Sequence, residues 1–373
     1  MLSLAINSYT TPLNYELLDF PTPEISSPTD VLVKVHAASI NPGDVKTAAG
    51  ATRVMMPLTF PYKIGLDLSG TVVRVGEAVT DFAKGDEVFG MLPLTQGGTY
   101  LVLFPLRYSS FASLGSVAEY ALISSTRLVP KPTSLSHTEA ASLPCVAVTT
   151  LQSLERANTV IEGGLSGKTV FILAGLSGTG SIAVQLAKRV YGAGKVITTV
   201  STSKISKVDE FLGAGVVDRV IDYTNEDVLK LVEKGSVDFF YDTAGVSMQF
   251  ISVMKKGGLI ISITTMPSGK EVAKLMPDAP YSILRVLDVL DWFNQWRVWW
   301  WGARLEARVE TVDTSGIARV SQLVEEGKVK AVVGRTADLD DLQGIRDACT
   351  EIKAGKGGLG KFVVVMSKGQ INT

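Results

Sequence analysis

The sequence predicts an α/β chain in which a β-rich unit is combined with a parallel sheet covered by helices on both faces. The first observation is an apolar run, Lys168–Ala174, followed by a glycine-rich turn, Gly175–Gly180, and a helical pattern over Ser181–Tyr191. The second is that strand and helix patterns alternate over residues 131–327, as they do in βαβ units. The third is that residues 1–130 contain mostly strand patterns.

Length and composition define the broad class of protein. At 373 residues the chain exceeds the roughly 250–300 residues at which one core stops growing, so two domains are expected. It is 46% hydrophobic with a formal net charge of −1, which argues against broad electrostatic binding of nucleic acid or an anionic membrane. Only Cys145 and Cys349 are present, so no disulfide framework is expected. Without a signal-peptide pattern or a run of about 18 apolar residues, we expect a cytoplasmic location and no membrane span.

Residues 1–130 predict a small, barrel-like β unit. Val31–Ala37 has valines on one face, and Leu68–Val75 is a second strand closed by a glycine. Met91–Gly115 is an apolar, aromatic-rich insert. It predicts a packed surface loop, with one wall of a substrate pocket or an oligomer contact as the alternatives.

Two later features predict a helix start and a packed cluster. Ser136 and Glu139 have the spacing of a capping box. Five tryptophans lie within residues 292–301. We expect them to pack between elements, with a lid or a dimer contact as the alternatives.

The turn Gly175–Gly180 predicts a phosphate-binding site, because glycines allow close approach and the helix start offers N–H groups and a favourable dipole. After the next predicted strand, Lys195–Val200, comes Ser201–Lys204, where such folds meet the adenosine ribose. An NAD site normally has an acid there for the ribose 2′-hydroxyl, but the first acid is Asp209. Hydroxyls with Lys204 favour a 2′-phosphate and therefore NADP(H). The alternative is that these residues only begin a solvated helix.

Several short motifs are spread along the whole chain. They are Ala38–Asp44, Gly65–Gly76, Phe82–Gly90, Ala118–Tyr120, Glu139–Cys145, Thr149, Ile221–Tyr223, Asp242–Gly245 and Gly360–Lys361. Together they resemble the medium-chain dehydrogenase/reductase superfamily, in its zinc-independent branch that includes quinone oxidoreductases and enoyl reductases. The resemblance implies a GroES-like catalytic domain built from residues 1–130 and 328–373. It also implies an inserted Rossmann domain, a doubly wound parallel sheet that binds NADP(H), over residues 131–327.

Two departures from the zinc-dependent members of that superfamily predict a zinc-independent enzyme. Where those members have a Cys and a Gly-His-Glu, this chain has Asn41–Asp44 and Gly65–Asp67. Two distant cysteines also cannot build a four-cysteine structural lobe. No metal site is therefore expected. Without a Lewis acid, reduction of a carbon–carbon double bond in an enone or quinone fits better than alcohol oxidation.

Three residues are candidates for the catalytic site. Asn41 is expected to be a neutral donor facing substrate or nicotinamide, with a simple turn residue as the alternative. By resemblance, Thr149 should lie near the nicotinamide. Asp44 should orient its neighbours or cap the following helix. Cys145 is expected to be a buried apolar side chain rather than a reactive thiolate.

The source of the proton for the substrate α-carbon is left open. Related enoyl reductases often have a Tyr soon after the Asn–Asp motif, but Thr47–Arg53 contains none, and Tyr62 lies further along. Water or an unassigned residue remains as the donor. His36 and His137 are expected to be structural.

Three turns of the Rossmann domain are expected to hold NADPH. Their residues are Gly175, Ser177, Gly178, Thr179 and Gly180 at the pyrophosphate, Ser201, Ser203 and Lys204 at the 2′-phosphate, Tyr223 beside the adenosine, and Ala244 and Gly245 near the nicotinamide ribose. The family usually has Gly in place of Ser177, a tolerable change if that residue avoids a left-handed conformation.

The sequence therefore predicts an NADPH-dependent reductase of enones or quinones, acting on a small hydrophobic substrate, with a homodimer as a family-level expectation. One alternative is a trans-acting enoyl reductase that works on a carrier-bound polyketide. Another is an NADPH-binding scaffold or sensor without turnover. No basic docking patch for an acidic carrier protein is evident, and the intact phosphate-binding turn argues against a non-catalytic role.

Overall fold

The computed structural model describes residues 1–54, 57–93, 115–275, 279–308, 314–356 and 358–366. The strands of these residues, numbered in chain order, are β1 (Leu2–Ile6), β2 (Glu16–Asp19), β3 (Asp30–Ile40), β4 (Tyr62–Lys63), β5 (Asp67–Val75), β6 (Glu87–Met91), β7 (Tyr120–Ser124), β8 (Leu128–Pro130), β9 (Thr169–Ile172), β10 (Lys195–Val200), β11 (Arg219–Asp222), β12 (Val237–Asp242), β13 (Met254–Ser262), β14 (Arg304–Ala307), β15 (Val333–Asp338) and β16 (Lys361–Val365). The α-helices are α1 (Pro42–Ala48), α2 (His137–Ala141), α3 (Pro144–Val160), α4 (Gly178–Arg189), α5 (Lys207–Leu212), α6 (Val228–Leu231), α7 (Gly269–Leu275), α8 (Tyr281–Trp300), α9 (Thr314–Glu325) and α10 (Leu342–Lys353).

The chain packs as two compact units. The first consists of Met1–Val148, Val312–Glu325 and Ala331–Thr373, and the second of Thr149–Thr311 and Glu326–Lys330. The first unit is therefore built from both ends of the sequence, with the second unit inserted between them, as the motifs predict.

The second unit contains a doubly wound parallel sheet. Within the described residues the strand order is β11-β10-β9-β12-β13-β14, and each neighbouring pair is parallel. If β9 is numbered 1, this is the strand order 3-2-1-4-5-6 of dinucleotide-binding sheets. Successive strands are added on one side of β9 as far as β11 and on its other side from β12 onward, so the order reverses between β9 and β12. Phe171 of β9 stacks on Phe240 of β12 in the buried core, with ring centroids 4.9 Å apart. The Rossmann fold is confirmed, and ligands of such sheets bind at the carboxyl ends of β9 and β12.

The first unit is β-rich, as predicted. Its larger sheet has the described order β15-β16-β3-β5-β6-β8, with β7 also pairing with β3, and a smaller sheet has the order β2-β1-β4. Strand β16 runs antiparallel to β3, with Phe362 opposite Ile40. This register brings the start of β16 beside the end of β3.

The observed division differs from the boundaries expected at residues 131 and 327. The first unit extends to Val148 because α2 packs on its sheet, where Ala141 is buried with Ala37 and Val363. The predicted capping box begins this helix, since Ser136 N–H donates to Glu139 Oε2 at 2.9 Å. Helix α9 also belongs to the first unit, where it packs beside β8.

Two predictions about apolar segments have different outcomes. The predicted insert Met91–Gly115 lies mostly outside the described residues. The expectation that the tryptophans pack between elements is wrong, because Trp292 is 60% exposed and Trp300 is 73% exposed. The apolar sequence pattern was misleading here, since α8 has apolar residues on its outer face as well as its inner face. No helix among the described residues is long and apolar enough to cross a membrane.

Candidate active site

The turn after β9 has the geometry of a phosphate-binding loop. A Cβ atom at Gly175 would lie 2.2 Å from Thr198 Oγ1, and one at Gly180 would lie 2.2 Å from the carbonyl oxygen of Ala174, so both positions require glycine. Ser177 has φ −73°, outside the left-handed region, which meets the condition set for this substitution. Its Oγ caps α4 by accepting the Gly180 N–H at 3.0 Å. The turn is thereby held close against the sheet.

The start of α4 offers donors to an anion. Among the described residues, the N–H groups of Gly178 and Thr179 have no protein acceptor, as is usual at the first turn of a helix. These N–H groups and the positive end of the helix dipole suit a pyrophosphate. The predicted residues of this turn therefore fit a dinucleotide.

The turn after β10 combines hydroxyls, a lysine and an acid. Ser201 precedes a short 3₁₀ helix, Thr202–Lys204. Lys204 is half-buried, and burial, together with nearby Lys207, lowers its pKa. Ser203 is exposed, and so is the predicted adenosine neighbour Tyr223 at the end of β11.

Sequence reasoning missed Asp222, the last residue of β11. It lies opposite Val200 in the parallel register, so the ends of β10 and β11 meet. Asp222 Oδ2 accepts from Thr202 Oγ1 at 2.6 Å, and hydrogen bonds from Thr202 and Thr224 lower the pKa of Asp222 to about 2. The sheet register was the signal that could have found it. A carboxylate is therefore present beside the proposed 2′-phosphate site, although its oxygens are already bound by hydroxyls.

The turn after β12 is organised by a buried carboxylate. Asp242 Oδ1 accepts the N–H groups of Ala244 at 3.0 Å and Gly245 at 2.8 Å, and Gly245 has φ +78°. Thr243 Oγ1 donates to the carbonyl oxygen of Leu173 at 3.0 Å, which ties this turn to the strand end that leads into the phosphate-binding loop. The structure thus brings Ala244 and Gly245 to the edge of the sheet that carries Gly175–Gly180.

A second group of polar side chains, which includes the candidates Asn41 and Asp44, lies in the first unit and is named the Asp67 cluster. It consists of Asn41, Asp44, Asp67 and Lys361, each at most 5% exposed. Asp67 Oδ2 accepts from Asn41 Nδ2 at 2.9 Å and pairs with Lys361 Nζ at 3.4 Å. Lys361 Nζ also donates to Asn41 Oδ1. Buried charges need such partners, because water no longer solvates them.

The Asp67 cluster fixes the orientation of the Asn41 amide. Lys361 can only donate and an ionised Asp67 can only accept, so Oδ1 faces the lysine and Nδ2 faces the carboxylate. Within the part of the chain that the structure describes, the second Nδ2 hydrogen has only a long contact, 3.4 Å, to Asp44 Oδ2. Asp44 Oδ2 also accepts the Asn41 backbone N–H at 2.8 Å, at the start of α1. Asp44 therefore contacts both the backbone and the side chain of Asn41 and forms the acidic half of the capping box of α1.

Asp44 has an unusual protonation equilibrium. Burial raises the pKa of Asp44 to about 7, and the negative charge of Asp67 adds to the rise, while Lys361 opposes it. The neighbouring thiol of Cys349 is also buried, which raises its pKa to about 12. Tyr62, noted in the sequence as a distant tyrosine, is buried near Asp44, and burial raises its pKa.

The remaining candidate positions have separate surroundings. Thr149 is half-buried in α3, where its carbonyl oxygen accepts from Ser153 Oγ at 2.8 Å, and it belongs to the second unit. Cys145 is partly exposed rather than buried, and its backbone N–H donates to Asp67 Oδ1 at 3.0 Å. The rings of His36 and His137 lie beside each other, with centroids 4.5 Å apart and planes tilted by 44°.

Comparison with known proteins identifies the family. Residues 27–133 match the alcohol dehydrogenase GroES-like domain, and residues 215–364 match the zinc-binding dehydrogenase family. The chain is 34% identical to a 2-methylene-furan-3-one reductase of Solanum lycopersicum over 292 residues, which cover 72% of this chain and 69% of that protein. The chain therefore belongs to the medium-chain dehydrogenase/reductase superfamily, and the resemblance inferred from the motifs is confirmed.

Other relatives place the chain among the oxidoreductases of that superfamily. It is 37% identical to a chloroplastic NADPH-dependent alkenal/one oxidoreductase of Arabidopsis thaliana over 243 residues, which cover 65% of this chain but only 56% of that protein. The quinone oxidoreductase structure from Coxiella burnetii superposes with a TM-score of 0.74 at 28% identity, covering 98% of this chain and 99% of that chain.

Proposed function

We propose that the chain is an NADPH-dependent reductase that transfers hydride to the activated double bond of an enone or a quinone without zinc. The observation that carries the proposal is the phosphate-binding turn, where Gly175 and Gly180 allow close approach and α4 offers free N–H groups. The relatives named as alkenal/one and quinone oxidoreductases support the substrate class.

The second unit supplies the binding residues. When bound, NADPH supplies the hydride. The turn Gly175–Gly180 would hold its pyrophosphate, and Ala244 and Gly245 would lie near the nicotinamide ribose. Ser201, Ser203 and Lys204 would bind the 2′-phosphate, with Tyr223 beside the adenosine. Thr149 remains a proposed neighbour of the nicotinamide.

The Asp67 cluster supports a role for Asn41 at the substrate. Hydride addition to an enone or quinone places negative charge on the carbonyl oxygen, which a fixed neutral donor stabilises. The weakly held Nδ2 hydrogen of Asn41 is such a donor. Lys361 and Asp67 would act as positioning residues, because their contacts prevent the amide from turning over.

Zinc independence rests on the residues present. Asn41 and Leu66 stand where zinc-dependent members carry Cys and His, and Asp67 is bound to Lys361 Nζ. A cationic side chain beside this carboxylate disfavours a second cation there. Metal analysis of the active protein, with activity measured after chelation, tests this part of the proposal.

The central test is oxidation of NADPH, followed by the absorbance of reduced nicotinamide, with a quinone, an enone, an aldehyde and an enoyl thioester as acceptors. NADH is measured in parallel. Lys204→Ala should weaken the preference for NADPH by about ten- to a hundredfold, because a hydrogen bond to a charged group is lost. Lys195→Ala is the matched control. Lys195 is an exposed lysine at the start of β10, whereas Lys204 follows the end of that strand.

Each outcome distinguishes one function. Turnover of the enone or quinone with NADPH supports the proposal. Turnover of the thioester alone favours a trans-acting enoyl reductase, and tight NADPH binding without reduction favours a scaffold or sensor. An unchanged preference for NADPH in Lys204→Ala would show that Lys204 does not bind the 2′-phosphate, and a wild type that prefers NADH would favour Asp222 as the partner of the ribose hydroxyls. The cytoplasmic location and the homodimer stay predictions.

A further inference from the structure

Helix α8 exposes an unusually large apolar surface, which is named the tryptophan face. Its members are eight exposed apolar residues of α8 and Trp301, which follows the helix directly. The eight are Val286, Val289, Leu290, Trp292, Phe293, Trp296, Trp299 and Trp300. Every tryptophan of the chain belongs to this face, and each is 49–73% exposed. A helix of 20 residues is about 30 Å long. The apolar area of this face is therefore much larger than that of the single exposed apolar side chains that are common on protein surfaces.

The inner side of α8 is anchored, so the tryptophan face cannot turn inward. Val298 is fully buried in the core of the second unit, and Leu287 is buried as well. Gln295 Nε2 donates to the carbonyl oxygen of Leu305 at 2.9 Å, which fixes the helix to β14. The apolar residues of the opposite side therefore stay exposed while the unit is folded.

The charges around the tryptophan face are mainly cationic. Arg297 on the face, and Lys256 and Arg304 near its end, are exposed, and no carboxylate within the described ranges forms an ion pair with any of them. Lys256 lies beside Gly302, directly after the last tryptophan, because a Cβ atom at Gly302 would lie 3.3 Å from Lys256 Cγ.

One acid of α8 is paired with a cation, and the other accepts a hydrogen bond from a neutral amide. Asp288 pairs with Arg285 at 3.6 Å and accepts the backbone N–H of Lys270 at 3.1 Å. Asp291 accepts from Gln295 Nε2 at 3.3 Å. Both acids are only partly exposed. The end of the face thus combines indole rings with uncompensated cations.

We propose that the tryptophan face lies on the surface of a membrane that contains anionic lipids. Indole rings have an apolar body and an N–H group, and they concentrate at the boundary between headgroups and acyl chains. Arginine and lysine beside them attract anionic headgroups. The face is a convex helix surface, which a bilayer can cover without a complementary groove. A two-fold dimer built on this face would instead bring the cations of both copies into one contact, where they repel each other.

The experiment measures intrinsic tryptophan fluorescence of the full chain during titration with vesicles. One set contains phosphatidylcholine only, and the other contains equal parts of phosphatidylcholine and phosphatidylserine. Because all five tryptophans lie in this segment, the emission reports on the tryptophan face alone. We expect a shift to shorter wavelength and co-sedimentation with the anionic vesicles, both weakened by salt.

Variants separate the apolar contribution from the cationic one. Trp296→Ser should lower vesicle affinity by about tenfold or more, because the buried area of one large side chain is lost. Arg297→Gln should lower it about fivefold and leave binding to neutral vesicles unchanged. The control is Leu13→Ser, which removes a 59% exposed apolar side chain from the first unit and should change nothing.

Two results would overturn the proposal. One is equal binding to both vesicle sets, which would remove the role of the cations. The other is no vesicle binding by a chain that light scattering shows to be a dimer, with short-wavelength emission in the absence of lipid. That result would assign the tryptophan face to a second copy. Neither result depends on catalytic turnover.

Discussion

The Asp67 cluster and the tryptophan face depart from the usual pattern of burial in opposite directions. In the cluster, a lysine and two carboxylates are buried, and hydrogen bonds and an ion pair join them. On the face, five indole rings are exposed, and the inner side of their helix alone is packed. Charged residues are rarely buried and large aromatic rings are mostly packed, so both regions carry residues that folding alone does not require. The comparison teaches that buried charged side chains and exposed aromatic side chains indicate where functional sites should be sought.

The largest effect on stability is expected in the Asp67 cluster, the buried region of this comparison. Lys361→Met should lower the free energy of unfolding by about 3–5 kcal/mol, because it leaves the Asp67 carboxylate buried without its cation. Denaturant unfolding at neutral pH measures the change. Lys361→Arg keeps the charge and should recover much of the loss. Equal losses in both variants would show that packing, and not the ion pair, is what the lysine provides.

Asp44 offers a pH-dependent test of the same cluster. Its pKa is raised from 3.8 to about 7 in the folded chain, so the folded state binds a proton that the unfolded state has released. The resulting stabilisation is complete below pH 3.8 and is lost as the pH rises through about 7. The slope is at most about 1.4 kcal/mol per pH unit.

Asp44→Asn should flatten that part of the stability profile. The amide keeps an acceptor for the Asn41 backbone N–H and removes the titration. Thermal or denaturant unfolding across this pH range, compared with the wild type, measures the difference. Identical slopes in the two proteins would contradict the raised pKa.

The two neighbouring histidines should give a smaller effect on stability, of opposite sign. Burial lowers the pKa of both His36 and His137, and each imidazole lies beside the other. The unfolded chain then binds more protons than the folded chain as the pH falls below 6.5, so stability decreases with acid. His137→Gln should reduce this decrease, as measured by unfolding between neutral and mildly acidic pH. Glu87, 3.2 Å from His137 Nε2, is the nearby group that opposes the shift.

The smallest effect on stability is expected on the tryptophan face, the exposed region of the comparison. Trp300→Ser should change the free energy of unfolding by no more than about 0.5 kcal/mol, because the ring is 73% exposed. Phe240→Ala, which removes a buried ring of the second unit, should cost about 3–5 kcal/mol in the same assay. A large loss in Trp300→Ser would mean that the face is covered in solution.

Local patterns in the sequence predicted much of the fold and the geometry of the turn at the proposed nucleotide site. The turn Gly175–Gly180 could be predicted because a strand, a glycine-rich turn and a helix follow one another directly. The alternation of strands and helices around it predicted a doubly wound parallel sheet, but not the order of its strands. Gly245 was predicted in the same way, from a short motif after a strand.

Contacts between distant residues were not predictable. Lys361 and Asn41 are 320 residues apart, and their contact depends on the register of β16 against β3. Asp222 was missed because it belongs to the strand beside the one that was considered. The exposure of the tryptophans was missed because an apolar pattern indicates which residues favour burial, not whether a partner element is there to bury them.

The pairing of β16 with β3 has a consequence for the order in which the chain folds during synthesis. The second unit has all the described strands of its sheet once β14 has left the ribosome, whereas β3 must wait for a strand made some 320 residues later. Until then the β3 edge is unpaired and the Asp67 carboxylate lacks its lysine. The second unit can therefore mature first, and the unit that carries Asn41 is completed only after β16 has been made.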